Sequence, residues 1–373
     1  MKKRITDISL IALTAVLLFS LGAGVFVPRE SNFSEDENRM LADLRLPTVK
    51  AIADGSFSDN LSEVFRDRLP FRRILLQAKT YFELLLGKGE SNGVVFAEDG
   101  YLLQKGEYED YGIAERNMEY FSELEDICGE KDKPFVCALA PRGIDVMTDT
   151  LPKNYGGYSG KIWETAKASS AEYFDLTPSL RQAADNGKQV WYRTDHHWTS
   201  LGAYTAYAAL SEKLGYTPYT EDYFYRETVS GNFLGSVYSL GGCVAFTSDS
   251  IELYRYDSDE DYTVEITECG ETQVGFYFYD RLSEKDKYLI FLGGNYSELN
   301  VSKTDGEKRE KLLLIKDSYA NSLVPFLALH YDIELIDLRY YQGGRDELAK
   351  KISDADKILL LHGIDTVATT ALY

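Results

Sequence analysis

Apolar residues recur along this chain in three rhythms, and each predicts a different kind of element. The first is an almost unbroken run, ISLIALTAVLLFSLGAGVFV, from Ile8 to Val27. A helix of that length rises about 30 Å, which matches the hydrocarbon core of a bilayer. The second rhythm is helical. Phe57, Leu61, Val64 and Phe65 share one face, and after Pro70 so do Ile74, Leu75, Ala78, Tyr81, Phe82 and Leu85, up to a stop at Gly87. Ala114, Met118, Phe121, Leu124 and Cys128 define a further helix face, a helix is expected after Ser159, and a short one over Pro178 to Asn186. Thr199 or Ser200 can cap a helix that carries Leu201, Tyr204, Ala208 and Leu214 and ends at Gly215.

The third rhythm is the short apolar run of a strand. Two such runs flank Asp99-Gly100 in GVVFAEDGYLL (Gly93 to Leu103), the signature of a hairpin. PFVCALAP (Pro134 to Pro141), AEYFDL (Ala171 to Leu176) and VWYRTD (Val190 to Asp195) predict strands between helices. LLLI (Leu312 to Ile315), IELIDL (Ile333 to Leu338) and KILLLHG (Lys357 to Gly363) are continuous apolar runs separated by helical stretches. That alternation predicts an α/β fold, with a parallel sheet covered on both faces. Residues 220–285 change character, being rich in tyrosine and acid with alternating runs such as VGFYFYD (Val274 to Asp280), and predict a β-rich insertion. The chain divides on this reading into a signal anchor or signal peptide (1–27), a tether and helical segment (28–90), and an α/β domain (91–373) containing the insertion.

Charge refines the address. Lys2, Lys3 and Arg4 precede the long apolar run, which orients it with that cluster inside and the remaining chain outside the cytoplasm. An uncleaved anchor is favoured; cleavage at Gly22-Ala23-Gly24 would give a secreted protein. The chain carries a net charge of -20, which repels nucleic acid and anionic membrane at long range and disfavours a strongly anionic polymer as substrate. Four cysteines, Cys128, Cys137, Cys243 and Cys269, make neither a disulfide framework nor a CxxC metal pair. The 28 tyrosines suit both strand cores and sugar-ring stacking.

Only four histidines exist, and two are adjacent in TDHHWT (Thr194 to Thr199). In extended backbone Asp195 and His197 share a face and His196 points away, so a carboxylate can hold an imidazole whose other nitrogen is free as a base. The opposed directions of the two histidines argue against a shared metal ion, and the chemistry needs no cofactor. LLLIKDSYANS (Leu312 to Ser322) runs an apolar strand into a turn and a helix with Ser318 near its start. That position lies at the carboxyl edge of the sheet, where a helix N-terminus favours an oxyanion. An ordinary N-cap serine would look the same from this segment alone. The Lys-Asp-Ser order resembles the GDS nucleophile turn of SGNH hydrolases, with Lys316 where glycine is usual. In FLGGNYSE (Phe291 to Glu298) the Gly293-Gly294-Asn295 turn can present Gly294 N–H and the Asn295 amide to an oxyanion, although a plain turn explains it as well. Trp198 and Tyr319 are candidates for stacking on sugar rings; Trp198 equally suits a core anchor that fixes His197.

DHHW at 195–198, GGN at 293–295 and KDSYAN at 316–321 together resemble the DHHW proteins, which group with the alginate O-acetyltransferase-like members of the SGNH-hydrolase-like proteins. ENRML (Glu37 to Leu41), DRLPFR (Asp67 to Arg72) and the NGVVF…DGYL hairpin extend the resemblance toward the N-terminus. It implies an SGNH-hydrolase-like fold, with Asp195 orienting, His197 as base and Ser318 as acyl-carrying nucleophile. It also implies O-acetylation of a secreted or cell-wall polysaccharide, with acetyl supplied by a multi-pass membrane acyltransferase. A carbohydrate acetyl esterase, or a non-catalytic envelope protein that binds polysaccharide or serves assembly, remains an alternative. The acidic chain favours a neutral or amino-sugar acceptor.

Overall fold

A strand that is apolar at every position must be covered on both faces, and the sheet at the centre of this protein meets that demand. The computed structural model describes residues 11–16, 19–20, 22–25, 27, 33–34, 39–108, 110–153, 155 and 160–373. The chain divides into two compact units, residues 1–92 with 239–244, and residues 93–238 with 245–373.

The smaller unit is helical, with α1 (Ser56–Arg68) and α2 (Arg72–Leu85) where the periodicity places them. Its packing differs from the expectation. Val64 of α1 is buried, but Ile74, Tyr81, Phe82 and Leu85 of α2 remain exposed. Part of the run Ile8 to Val27, including residues 8–10, 17–18, 21 and 26, lies outside the described residues. Among the described residues no helix is long and apolar enough to cross a membrane.

The larger unit begins with a hairpin, β1 (Val94–Phe96) and β2 (Leu102–Gln104), turning through Asp99 and Gly100, both at positive φ. Helix α3 (Gly112–Glu130) and strand β3 (Phe135–Ala140) follow, then α4 (Lys161–Ala168), the two-residue strand β4 (Phe174–Asp175), and α5 (Thr177–Asp185). Helix α6 (Ser200–Leu214) starts at a Thr199 side chain that accepts the Gly202 N–H, and stops at Gly215 in the left-handed region. Its buried face is Ala203, Ala206, Tyr207, Leu210 and Leu214, so Leu201, Tyr204 and Ala208 lie to one side of the stripe that enters the core.

Residues 220–285 do not form a single insertion. Strands β5 (Tyr225–Phe233) and β6 (Asp249–Arg255) pair as a separate antiparallel ribbon. Strands β7 (Tyr262–Ile266) and β8 (Glu271–Val274) extend the main sheet, which continues through β9 (Glu298–Lys303), β10 (Glu310–Lys316), β11 (Tyr331–Ile336) and β12 (Lys357–Gly363). The order across its eight strands is β8-β7-β9-β11-β10-β12-β3-β4. The strands from β11 to β4 run parallel, and β9, β7 and β8 add an antiparallel edge. The alternating run Val274 to Asp280 leaves the sheet after Val274, the last residue of β8. Gly275, at φ 74°, breaks the extended path, and only Tyr277 bridges back to Phe291.

Alternation along the central strands sorts side chains between two cores. Leu312 and Leu314 enter one with Leu359 and Leu361, beneath α6. Leu313 and Ile315 enter the other with Ile358 and Leu360, beneath α3. Cys128 and Cys137 belong to this second core.

A histidine sits in that packing without a hydrogen-bond partner among the described residues. His362, near the end of β12, is fully buried 5.6 Å from the Phe121 ring, and neither of its ring nitrogens has a hydrogen-bond partner among the described residues. Burial lowers its pKa from 6.5 to about 4; Asp317 and Asp337 oppose the shift, and Arg339 and Lys316 add to it. A histidine held neutral in the fold contributes stability above pH 6.5 that is lost as pH falls through about 4, because the unfolded chain takes up the proton first. Urea midpoints should therefore fall between pH 6.5 and 4, and His362→Leu should make that dependence shallower, His197 and His330 supplying the remainder. An unchanged slope in the variant would assign the acid sensitivity elsewhere.

Candidate active site

Residues 193–197 form a bend, and Trp191 and Trp198 on either side of it pair in an antiparallel bridge. This replaces the extended strand expected through Asp195. Asp195 and His197 meet by a tighter route, an Asx turn in which Asp195 Oδ1 accepts the His197 backbone N–H at 3.0 Å. The same oxygen lies 2.6 Å from His197 Nδ1. Asp249 of β6 fixes the turn by accepting the N–H groups of Arg193 and Thr194, each at 2.8 Å, and the Thr194 hydroxyl at 2.6 Å.

The second Asp195 oxygen, Oδ2, accepts the Ser236 N–H at 2.7 Å and the Ser236 hydroxyl at 3.0 Å. Having given its only proton to the carboxylate, Ser236 Oγ accepts from His196 Nδ1, 2.6 Å away. His196 therefore does not point away. Its ring centroid is 3.8 Å from that of His197. Gly235 is required beside this cluster, since a Cβ there would lie 2.3 Å from the Asp195 carboxylate. The ligand atoms of Asp195, His196 and His197 lie within 4.8 Å of one another, close enough to hold a metal ion. All four lone-pair sites of the carboxylate already take N–H or O–H donors, so an ion there would have to displace them.

Ser318 follows β10 at the carboxyl edge of the sheet, and its Oγ lies 2.8 Å from His197 Nε2. The segment after it is a 3₁₀ turn, Ser318–Ser322, followed by a four-residue helix. The longer helix expected from Ser318, with its N-terminal potential, is absent, since a single 3₁₀ turn aligns too few peptide dipoles. Side chains hold the turn instead. Asp317 Oδ1 accepts the Tyr319 N–H at 3.0 Å, and its Oδ2 accepts Gly363 N–H at 2.7 Å and the Thr366 hydroxyl at 2.6 Å.

Lys316 is fully buried and donates to Asn321 Oδ1 at 2.8 Å. That bond fixes which way the Asn321 amide faces, and its Nδ2 then donates to Gly294 O and Asn295 Oδ1, both at 3.3 Å. The nucleophile turn and the Gly293-Gly294-Asn295 turn are tied together in this way. Because its carbonyl oxygen is engaged, exposed Asn295 is left with its NH₂ as the outward donor. Burial pulls the Lys316 ammonium down to about 8, against the opposing pull of Asp337, 3.7 Å away.

The expected stacking role of Trp198 and Tyr319 is corrected by their burial, to 0% and 2% exposure. Trp198 Nε1 donates to Ser322 Oγ at 3.0 Å, and Tyr319 OH donates to the His196 carbonyl at 2.7 Å. Both brace the turn from within. The ring that does lie on the imidazole is Tyr288, which no motif singles out; it stacks on His197 at 3.8 Å and 5°. Its hydroxyl donates to Ser318 O at 3.2 Å.

Burial pushes His197 down to about 4, helped by His196 and opposed by Asp195, so the imidazole is neutral at physiological pH. Burial would raise the Asp195 carboxyl, but His196, His197 and the Ser236 N–H outweigh it and hold the group well below the usual carboxylate range. A carboxylate, a neutral imidazole and a serine hydroxyl in one hydrogen-bonded line have the geometry for nucleophilic acyl transfer.

Residues 175–336 match the DHHW protein family, and residues 94–231 match the SGNH hydrolase-like domain of acetyltransferase AlgX. The chain thus resembles DHHW proteins and AlgX-like domains, as its motifs indicate. Over 129 residues it is 31% identical to Probable alginate O-acetylase AlgJ of Pseudomonas putida, a match spanning 32% of this chain and 33% of that protein. The fold is similar to that of a DHHW family protein from Eubacterium siraeum (TM-score 0.61, 21% identity, 76% of this chain and 94% of that one). It is also similar to that of Bacillus cereus PatB1, in a structure with a sulfonyl adduct (TM-score 0.60, 17% identity, 75% and 97%).

If Trp198 is a core brace, Trp198→Ala should cost about 3–5 kcal/mol of stability. Trp198→Phe, which keeps the apolar bulk and loses the bond to Ser322, should cost about 1–2 kcal/mol. Urea titration of the two variants measures both, and an alanine variant as stable as wild type would contradict the bracing role.

Proposed function

We propose that the protein is an extracytoplasmic polysaccharide O-acyltransferase, most simply an O-acetyltransferase, that carries its acyl group on Ser318. The observation that supports this reading is the continuous line from Asp195 Oδ1 through His197 to Ser318 Oγ, with steps of 2.6 and 2.8 Å. The partial match to AlgJ supports the reaction class. In the first half-reaction Ser318 Oγ attacks the donor's acyl carbon while His197 Nε2 takes its proton. The tetrahedral intermediate collapses, the acyl–donor bond breaks, and His197 returns the proton to the leaving group. In the second, a sugar hydroxyl attacks the acyl-serine, His197 takes the hydroxyl proton, and the Ser318–acyl bond breaks as that proton passes back to Oγ. Asp195 stabilises the imidazolium in both. The Asn295 NH₂, held outward by Asn321, and Gly294 N–H are the proposed oxyanion donors.

The apolar run at Ile8 to Val27 and its basic flank support an anchored protein facing outward. A multi-pass acyltransferase as donor is proposed from the resemblance to the alginate O-acetyltransferase-like proteins alone. The net charge of -20 supports a neutral or amino-sugar acceptor.

Ser318 should gain an acetyl group from an activated acetyl ester, or a sulfonyl group from a sulfonyl fluoride, as read by intact-mass spectrometry and peptide mapping. Ser318→Ala should gain neither; an equal adduct on that variant would move the nucleophile elsewhere. His197→Ala should lower the rate by roughly 10⁴–10⁶ and Asn295→Ala by roughly 10²–10³. Adding oligosaccharide acceptors should divert acetyl from water to sugar; acetate release that acceptors leave unchanged would favour an esterase.

A second prediction concerns pH. His197 must be neutral to take a proton, and its pKa lies at about 4 in the fold. The acid limb of kcat/KM should therefore lie near pH 4, below that of free imidazole, so long as the protein stays folded. A limb near 6.5 would show that the imidazole is better solvated than its burial implies.

A further inference from the structure

Far from Ser318, the amino ends of β10 and β11 meet the loop after α6 around a cavity of about 520 Å³, lined by Tyr216, Thr217, Tyr219, Glu310, His330 and Tyr331. Glu310 starts the strand whose far end leads into Ser318, and at about 3.3 Å per residue the two are roughly 25 Å apart. We propose that this cavity is a glycan-binding subsite that holds a neutral stretch of polysaccharide, remote from the acyl-transfer site. The proposal rests on the polysaccharide reading above and specifies where a long acceptor is held.

Aromatic faces and fixed polar groups occur here together, as a sugar ring requires. Tyr219 and Tyr223 are 39% and 43% exposed, with ring centroids 4.3 Å apart. The two rings are tilted 35° to each other, with Tyr219 on the cavity wall and Tyr223 beside it, and their exposed parts offer apolar surface to the C–H face of a pyranose. Behind them His330 is enclosed by rings, 4.4 Å from Tyr216 and 5.6 Å from Tyr219. Its hydrogen bonding is set by Tyr207, whose hydroxyl accepts the Tyr219 N–H at 2.9 Å and donates to His330 Nε2 at 2.8 Å. The imidazole proton is then on Nδ1, a donor for a sugar hydroxyl. Burial first, and Lys357 second, hold His330 at about 4, so the donor is uncharged at neutral pH.

The charges at the rim balance. Glu310 accepts from Lys357 Nζ at 2.8 Å, and that ammonium also donates to Leu214 O at 2.9 Å and lies 5.2 Å from the Tyr331 ring centroid. A paired carboxylate and ammonium can each bond a hydroxyl, and neither attracts a polyanion. Partly exposed aromatic rings beside a charge-paired rim therefore favour an uncharged carbohydrate. A polymer held at this distance raises the local concentration of its other units near Ser318 without occupying the reacting position.

Calorimetry on the full-length Ser318→Ala protein with cellotetraose, chitotetraose and tetragalacturonate tests the proposal without any need for turnover. At least one of the two neutral tetrasaccharides should bind, and more tightly than the uronate. Tyr219→Ala and Tyr223→Ala should each weaken that binding about tenfold, or ~1.4 kcal/mol. Tyr219→Phe should retain it, since the ring and not the hydroxyl makes the contact. In the wild-type background Tyr219→Ala should leave reaction with a small activated ester unchanged while raising KM for a polymer. No binding by either neutral tetrasaccharide, binding untouched by both alanine variants, or preference for the uronate would each overturn the subsite. None of these results would alter the labelling of Ser318, so the two readings fail separately.

Discussion

Four hydrogens converge on one buried carboxylate, and the geometry of the site follows from it. Asp195 accepts the His197 N–H and ring nitrogen on one oxygen and both donors of Ser236 on the other. A buried charge with an empty lone pair would be costly, whereas a saturated one is rigid. Its rigidity passes to the imidazole, whose distance to Ser318 is set from that end. Ser236 also engages His196, so the motif's two histidines are fastened to the same carboxylate by different routes. Gly235 is the steric counterpart, because the segment bearing Ser236 can approach so closely only without a side chain there.

The nucleophile is held by a separate set of polar contacts. Asp317 ties it to the end of β12, and Lys316 ties it through Asn321 to the turn at Gly294 and Asn295. Where a glycine would leave room, Lys316 places a buried cation directly beneath the site. Asp337 and Arg339 complete that charge cluster, with Arg339 bonded to both oxygens of Asp337. The serine therefore follows directly on a buried, charge-paired residue at the carboxyl end of its strand.

Elements with strong local signals were legible in the sequence. The runs at Leu312 to Ile315 and Lys357 to Gly363 could only be doubly covered strands, and Thr199 with Gly215 marked both ends of α6. The proximity of Asp195, His197 and Ser318 was also legible, although the stated reason failed: an Asx turn, not strand alternation, joins the first two. Contacts made across long sequence separations stayed hidden. Tyr288, Ser236 and Asp249 reach the site from segments with no pattern of their own, and only the fold brings them to it. The burial of Trp198 and Tyr319 was hidden for a related reason, since an aromatic next to a reactive residue reads the same whether it faces outward or inward.

The Tyr288 ring lies almost parallel to His197 at 3.8 Å, and that has a spectroscopic consequence. A proton held over an aromatic face is shielded by the ring current, so the His197 carbon-bound protons should resonate upfield of those of ordinary histidines. With four histidines in the chain, selective imidazole labelling would give a spectrum of four spin systems. Of these, His197, stacked on Tyr288, and His330, stacked on Tyr216, should be displaced, and His197→Gln would tell the two apart. Movement of Tyr288 or rotation of the imidazole would collapse the His197 displacement. The stacked pair therefore makes the state of the site visible in solution, in the absence of substrate and without perturbing the protein.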